Sequence, residues 1–220
     1  MPLTLHAHPL ASFCQKVLIG LYELGTPFEF ATVNLGEAES RQAYFKLWPI
    51  GKMPVLIDSD RAAMVPESSI ILEYLDRHYP GPARLIPDDP DRSRQTRLKD
   101  RVLDSYLHVQ MQKIVGDRMR PDGAKDPHGV ADARRLIRTV YGMIERDIAD
   151  KTWAMGEDFT LVDCAAAPPL FFCNRFEPFA DDHPNLAAYF GRLQARPSVA
   201  KARAGAEPFL HMVPGWAEAA

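Results

Sequence analysis

A hydroxyl and a thiol lie two residues apart at Ser12 and Cys14, within the run Ala11-Ser12-Phe13-Cys14-Gln15. Two chemistries could use them: a nucleophilic cysteine, or a serine hydroxyl that donates a hydrogen bond to an anion. Ser12-Phe13-Cys14-Gln15 also fits Ser-x-x-Gln, a capping box that ties the hydroxyl to backbone at a helix start. A capping hydroxyl accepts from an N–H and still has a hydrogen to donate, so the two roles are compatible. Cys14 lies beside the apolar positions Phe13, Val17, Leu21 and Leu24, which favours a small core residue over a nucleophile. His6 and His8 share one face of an alternating stretch without a third ligand nearby, so packing is expected there and no metal. Farther on, Asp104, His108, Met111 and Val115 recur at spacings of four, three and four, either as a helix-packing stripe or as one wall of a site.

The rest of the chain narrows the partners. Its 220 residues are 46% hydrophobic, enough for a core, and two modest domains are favoured over one large one. Lys and Arg number 26 against 29 Asp and Glu, a formal charge of −3 that gives no reason to expect nucleic acid or an anionic membrane as partner. The three cysteines, Cys14, Cys164 and Cys173, are widely spaced and form neither a Cys-x-x-Cys nor a Cys/His ligand pattern, which suits a reducing compartment. No basic leader precedes an apolar core, and no apolar run reaches about 18 residues. A cytoplasmic protein is expected.

Periodicity supplies the elements that must position these residues. Leu3, Leu5 and Ala7 alternate as in a strand, and helical spacing then runs from Phe13 until Gly25 stops it. A strand is predicted over Phe28–Val33 and a short helix over Ser40–Leu47, broken by Pro49 and Gly51. Pro54–Ile57 and Ala62–Val65 flank the polar turn Asp58–Arg61 as a hairpin, and a helix containing Ile71, Tyr74, Leu75 and His78 ends near Gly81. Residues 1–81 thus read as βαβ-α-ββα, residues 82–90 as an exposed Pro- and Asp-rich connector, and residues 91–220 as all-helical. The helices expected in the second unit are Asp91–Arg118, His128–Ala149, Thr160–Phe176, Asn185–Ala195 and Ser198–Arg203.

This order, together with three motifs, resembles the glutathione S-transferase family, in particular its serine-type theta- and zeta-like members. Gly51-Lys52-Met53-Pro54-Val55-Leu56 is similar to the family's Gly-Lys-Val-Pro-x-Leu segment, whose proline is cis. Pro66-Glu67-Ser68-Ser69-Ile70-Ile71 is similar to its Glu-Ser-x-x-Ile helix start, and Thr160-Leu161-Val162-Asp163 to its capped helix in the second domain. The resemblance implies a thioredoxin-like α/β first domain, an all-α second domain, and glutathione as co-substrate without a metal. Met53 would pair with the cysteinyl backbone as a strand edge pairs with a peptide, beside Pro54, and Lys52 would reach the glycyl carboxylate. Ser68 and the helix N-terminus would hold the γ-glutamyl carboxylate, with Glu67 facing its ammonium end. Ser12, with the backbone at Phe13, would keep the sulfur as thiolate, so Ser12 is the expected catalytic residue.

The resemblance further implies a small-molecule electrophile as second substrate and a homodimer, with His108, Met111 and Val115 as candidates for the second-substrate pocket and Asp104 as a candidate for the acidic residue lent across the dimer to the γ-glutamyl ammonium. The family's serine-type members place Ser-x-x-Cys or Ser-x-x-Ser at the first helix, and its redox members Cys-x-x-Cys. Here Ala11 takes the first position, which argues against a dithiol mechanism and leaves Ser12 as the available donor. Three functions stay open: transfer of glutathione to an electrophile; glutathione binding or regulation without thiol activation; and glutathione-dependent isomerisation, peroxide reduction or disulfide reduction.

Overall fold

In the computed structural model, which describes residues 1–216, the first unit runs β1 (Leu3–Ala7), α1 (Ser12–Leu24), β2 (Glu29–Thr32), α2 (Ala38–Leu47), β3 (Val55–Asp58), β4 (Ala63–Pro66) and α3 (Ser68–His78). The sheet order is β2-β1-β3-β4, with β1 and β2 parallel and the other pairs antiparallel. This is the βαβ-α-ββα order of a thioredoxin-like domain. Leu3, Leu5 and Ala7 point from β1 into the core, as their alternation requires. Gly25 ends α1 at φ 64°, a left-handed geometry that a Cβ would penalise, and its N–H closes the last turn on Leu21 and Tyr22.

The second unit holds α4 (Pro90–Leu103), a π-helical turn (Asp104–His108), α5 (Val109–Arg118), α6 (Pro127–Asp147), α7 (Leu161–Phe176), α8 (Pro184–Ala195) and α9 (Pro197–Ala206), then a 3₁₀ segment Glu207–Met212. The one helix expected over residues 91–118 is therefore two α-helices joined through a wider turn, in which the Val109 N–H reaches back five residues to the Asp104 carbonyl. Thr160 caps α7 with its hydroxyl on the Val162 N–H, while Asp163 accepts from Thr160 N at 2.8 Å and from the Tyr189 hydroxyl at 2.7 Å. The capping box thus locks α7 to α8 as well as closing its own end. Among the described residues, no helix is long and apolar enough to cross a membrane.

The segment expected as an exposed connector is partly buried. Leu85 is fully covered; its N–H donates to Asp76 Oδ1 at 2.7 Å and its carbonyl accepts from Leu161 N at 2.9 Å. Polar composition hid an apolar anchor: Leu85 and Ile86 fill the seam between the units, and Pro and Asp occupy the positions around them.

Helix α1 joins the two units, packing on α3 within its own domain and on α7 and α9 of the other. It is buried on nearly every side, so even its polar residues Ser12, Gln15 and Lys16 are enclosed. Lys16 has no exposed surface; its ammonium donates to Asp100 Oδ1 at 2.6 Å, Asp104 Oδ2 at 2.8 Å and Ser69 Oγ at 2.9 Å. Ser69 in turn donates to Asp100 Oδ2 at 2.7 Å. A buried charge persists only when paired and hydrogen-bonded, and here all three ammonium hydrogens are used. Lys16→Met should therefore leave two buried carboxylates with only the exposed, more distant Arg101 as counter-charge and lower folding stability by about 3–5 kcal/mol in urea titration. Asp100→Asn added to that variant should recover part of the loss.

Candidate functional site

Six of the residues singled out from sequence converge on one cleft of about 590 Å³ between the two units: Phe13, Lys52, Met53, Pro54, Glu67 and Ser68. Ala11, Leu35 and Gly51 complete the wall from the first unit, and Ser12 is not among the lining residues. The opposite wall is Arg101, Asp104, Ser105, Val109 and Gln112.

The loop before β3 owes its course to two local features. Gly51 adopts φ 70°, and a Cβ there would meet the Phe45 ring at 2.5 Å; the Tyr44 hydroxyl then fixes the loop by donating to the Lys52 carbonyl at 2.7 Å. The Met53–Pro54 peptide is cis, and Met53 lies just outside the β3 ladder, whose pairing with β1 begins at Val55. Lys52 makes no ion pair among the described residues. At the neighbouring wall Glu67 precedes α3 with φ 71° and ψ 121°, a sparsely populated geometry for a residue with a side chain. It turns the chain so that the first N–H groups of α3, at Ser68 and Ser69, find no backbone carbonyl. The next two side chains diverge in role: Ser68 lines the cleft, and Ser69 joins the Lys16 network. Unpaired N–H groups, a hydroxyl and the partial positive charge of a helix end are together suited to hold a carboxylate.

At the start of α1 the expected capping box does not form. Ala11 is the N-cap and no side chain caps the helix; Gln15 donates instead to the carbonyls of Pro9 and Leu10, both at 3.2 Å. That leaves the N–H groups of Ser12 and Phe13 without backbone partners. The Ser12 hydroxyl lies 2.5 Å from His108 Nε2, and the His108 ring stacks on Phe13 at 3.6 Å between centroids and 15° between planes. Phe13 thus shows one part of its ring to the cleft and another to the imidazole. His108 is completely buried, and that burial, with Lys16 nearby, drives its pKa well below the usual imidazole value. Cys14 faces the core, where burial pushes its thiol up to about 12, so no thiolate is offered there.

The second-substrate face expected at His108, Met111 and Val115 is placed elsewhere: His108 and Met111 are buried and Val115 packs against the core. Of the two readings of this stripe, helix packing is the one the structure shows, while Ser105, Val109 and Gln112 line the cleft beside Asp104. Arg101, Ser105, Val109 and Gln112 were not found from sequence, because nothing in Asp104-Ser105-Tyr106-Leu107-His108 marks a widened turn. Asp104 does reach the cleft wall, with Oδ2 committed to Lys16 and Oδ1 buried without a partner; burial raises its carboxyl pKa. His8 has a local role, accepting from Leu10 N at 3.2 Å and packing edge-on to Phe209 at 4.9 Å. Among the described residues, no three His, Cys, Asp or Glu side chains converge as a metal site.

Comparison with known proteins shows one family over both units. The glutathione S-transferase N-terminal domain family matches residues 5–83, and the glutathione S-transferase C-terminal domain family matches residues 96–197. A glutathione S-transferase from Methylobacterium radiotolerans, solved in complex with glutathione sulfonate, superposes with a TM-score of 0.80 and 30% identity over 91% of this chain and 93% of its own. Maleylacetoacetate isomerase from Pseudomonas aeruginosa is 28% identical over 88% of this chain and 92% of its own. FtsZ-localized protein A from Caulobacter vibrioides is 28% identical over 88% and 87%.

The histidines carry a pH signature. His6, His8 and His108 all have pKa values lowered by burial, so below about pH 6.5 the unfolded chain takes up protons that the folded one refuses. Stability should fall as pH drops from 7 towards 5, by at most about 1.4 kcal/mol per pH unit for each fully neutral buried histidine. Asp104 and Asp163, raised by burial, act in the opposite sense at lower pH. Urea midpoints of wild type and His108→Gln over this range should differ by a shallower slope in the variant.

Proposed function

The chain belongs to the glutathione S-transferase family, and from that premise we propose that its cleft binds glutathione lengthwise and holds the sulfur as thiolate for attack on a small electrophile. The observation that carries this reading is the meeting of three partial sites in one cleft: an unpaired strand edge at Met53, a helix end at Ser68 suited to an anion, and the start of α1 at Ala11 and Phe13, with Ser12 buried between them. On this reading Met53 pairs with the cysteinyl backbone beside Pro54, Lys52 neutralises the glycyl carboxylate, and Ser68 with the α3 N–H groups holds the γ-glutamyl carboxylate. Glu67 faces the γ-glutamyl ammonium. The sulfur then lies over the unpaired N–H groups of Ser12 and Phe13.

A free thiol of pKa about 8.5 is mostly protonated at neutral pH, and each unit of depression corresponds to about 1.36 kcal/mol of preference for thiolate. Two unpaired N–H groups at a helix start, with the Ser12 hydroxyl as a third donor, suffice for that. The electrophile meets the thiolate against Phe13, Val109 and Gln112, an apolar ring and side chain beside one polar amide. We further read the protein as a homodimer of a reducing cytoplasm, supported by three free buried cysteines and by the exposed apolar residues Met64, Ile70, Leu98 and Tyr106.

A second reading keeps the binding and drops the activation: Ala11 replaces a polar residue of the serine-type motif, and Ser12 Oγ is already engaged by His108. Isomerisation, as in the Pseudomonas relative, is a third use of the same bound thiolate. Ultraviolet titration of glutathione bound to the protein separates the first two. A bound thiol pKa below that of free glutathione is expected, and an unshifted value would leave a binding protein only. Ser68→Ala should raise the KM for glutathione by roughly tenfold or more while leaving the bound thiol pKa nearly unchanged. An unchanged KM would remove Ser68 from the site.

A further inference from the structure

His108 comes from the helical domain, yet its imidazole is enclosed between two residues of α1. Its Nε2 is 2.5 Å from Ser12 Oγ, its ring lies flat on Phe13, and its Nδ1 is buried with no hydrogen-bond partner. A packing residue in such a place would ordinarily be apolar, because an unsatisfied buried nitrogen costs about 1–3 kcal/mol. Among the described residues, the only hydrogen-bond contact of the ring is the serine.

A neutral imidazole carries one N–H and one bare nitrogen, so the contact has two possible forms. If Ser12 donates to Nε2, the hydrogen sits on Nδ1 and becomes a buried N–H with no acceptor, and the serine offers only lone pairs to the cleft. If Nε2–H donates to Ser12, the orphan at Nδ1 is a lone pair, and the serine keeps its own hydrogen free. Native interiors tolerate orphaned acceptors better than orphaned donors, which favours the second form. Protonation of both nitrogens is opposed by complete burial and by Lys16, the charged group that bears on the ring from α1. Phe13 closes one face without charge, and Asp104, one turn earlier, has Oδ2 on Lys16.

We propose that His108 is a positioning residue for the thiol step: its Nε2–H donates to Ser12 Oγ and so leaves the serine hydrogen to donate to the sulfur of bound glutathione. This rests on the reading above that Ser12 adjoins the thiol. The thiol proton leaves to solvent, the imidazole takes up no proton at any stage, and no covalent bond to Ser12 or His108 forms or breaks. The contact also gives Ala11 a rationale. With the usual first serine absent, the remaining hydroxyl has only one way to be useful, and a donor from behind enforces it.

Long-range ¹H–¹⁵N correlation spectra of the ¹⁵N-labelled protein should show His108 as the Nε2–H tautomer, its signals identified by their loss in His108→Gln. The Nδ1–H tautomer would overturn the proposal. With bound glutathione, His108→Leu should raise the thiol pKa by as much as Ser12→Ala does, on the order of one unit. The double variant should be no worse than either single one, and His108→Gln, which keeps an N–H donor, should restore most of the shift with little change in the KM for glutathione. A shift in Ser12→Ala without one in His108→Leu sinks the role of His108 alone. No shift in Ser12→Ala sinks it together with the placement of Ser12 at the sulfur, while an unchanged backbone-driven depression would leave glutathione activation standing. If His108→Leu does not fold, the wild-type tautomer and His108→Phe, which retains the ring stack, decide the matter.

Discussion

The Lys16 ammonium is the constraint around which both units are arranged. A lysine without exposed surface is tolerable only where every hydrogen meets an acceptor, and its acceptors come from three elements: Ser69 of α3, Asp100 of α4 and Asp104 of the π turn. Two of the three lie in the helical domain. Any displacement of that domain along α1 breaks a charge pair where water cannot replace it, so the domain seam has one permitted register. Apolar packing of α1 on α7 and α9 supplies the bulk of the contact but is tolerant of small slides; the charge cluster is not.

That register matters because the cleft straddles the seam. Asp104 and His108 bound the same five-residue turn, one ending on Lys16 and the other on Ser12. The turn therefore carries two polar contacts to α1, four positions apart in the chain, and between them it presents Ser105 to the cleft. An uninterrupted α-helix would not place all three sets of groups this way. Wider turns cost helix hydrogen-bond quality, and this one is held by buried partners at both ends.

How much of this could be read in the sequence follows from which interactions are local. The β1–α1–β2 unit, the hairpin β3–β4 and the capped α7 depend on alternation, helical spacing, Gly25 and the Thr160–Asp163 pair, all of which leave marks within a few residues. Lys52, Met53, Pro54, Glu67 and Ser68 were legible because two short motifs carry them. The Ser12 environment was not: Ser12-Phe13-Cys14-Gln15 has the pattern of a capping box, but His108, 96 residues away, competes for the hydroxyl and Gln15 finds nearer carbonyls in the preceding loop. The widened turn was equally illegible, since a periodicity argument assumes 3.6 residues per turn and Asp104–His108 departs from it. Lys16 itself reads as a surface lysine in an amphipathic helix; only the presence of a second domain over that face makes it a buried one.

The cleft and the domain anchor meet at α3. Ser68 and Ser69 are adjacent, and the strained geometry of Glu67 sets the direction from which both enter the helix. Ser68 opens on the cleft while Ser69 donates to Asp100 within the Lys16 cluster, so the cleft residue is adjacent to one fixed through buried charges to the other domain. Arg101, 3.8 Å from both Asp100 and Asp104, stands at the cleft edge of the same cluster and brings its four charged groups to neutrality. A ligand carboxylate arriving at α3 therefore meets a helix dipole and an exposed guanidinium, and it does so without unbalancing the buried charges beneath. The α3 end of the cleft is held by the same cluster that fixes the seam. The α1 end is held by a different route, the Ser12–His108 contact, and the two routes converge on one turn of the helical domain.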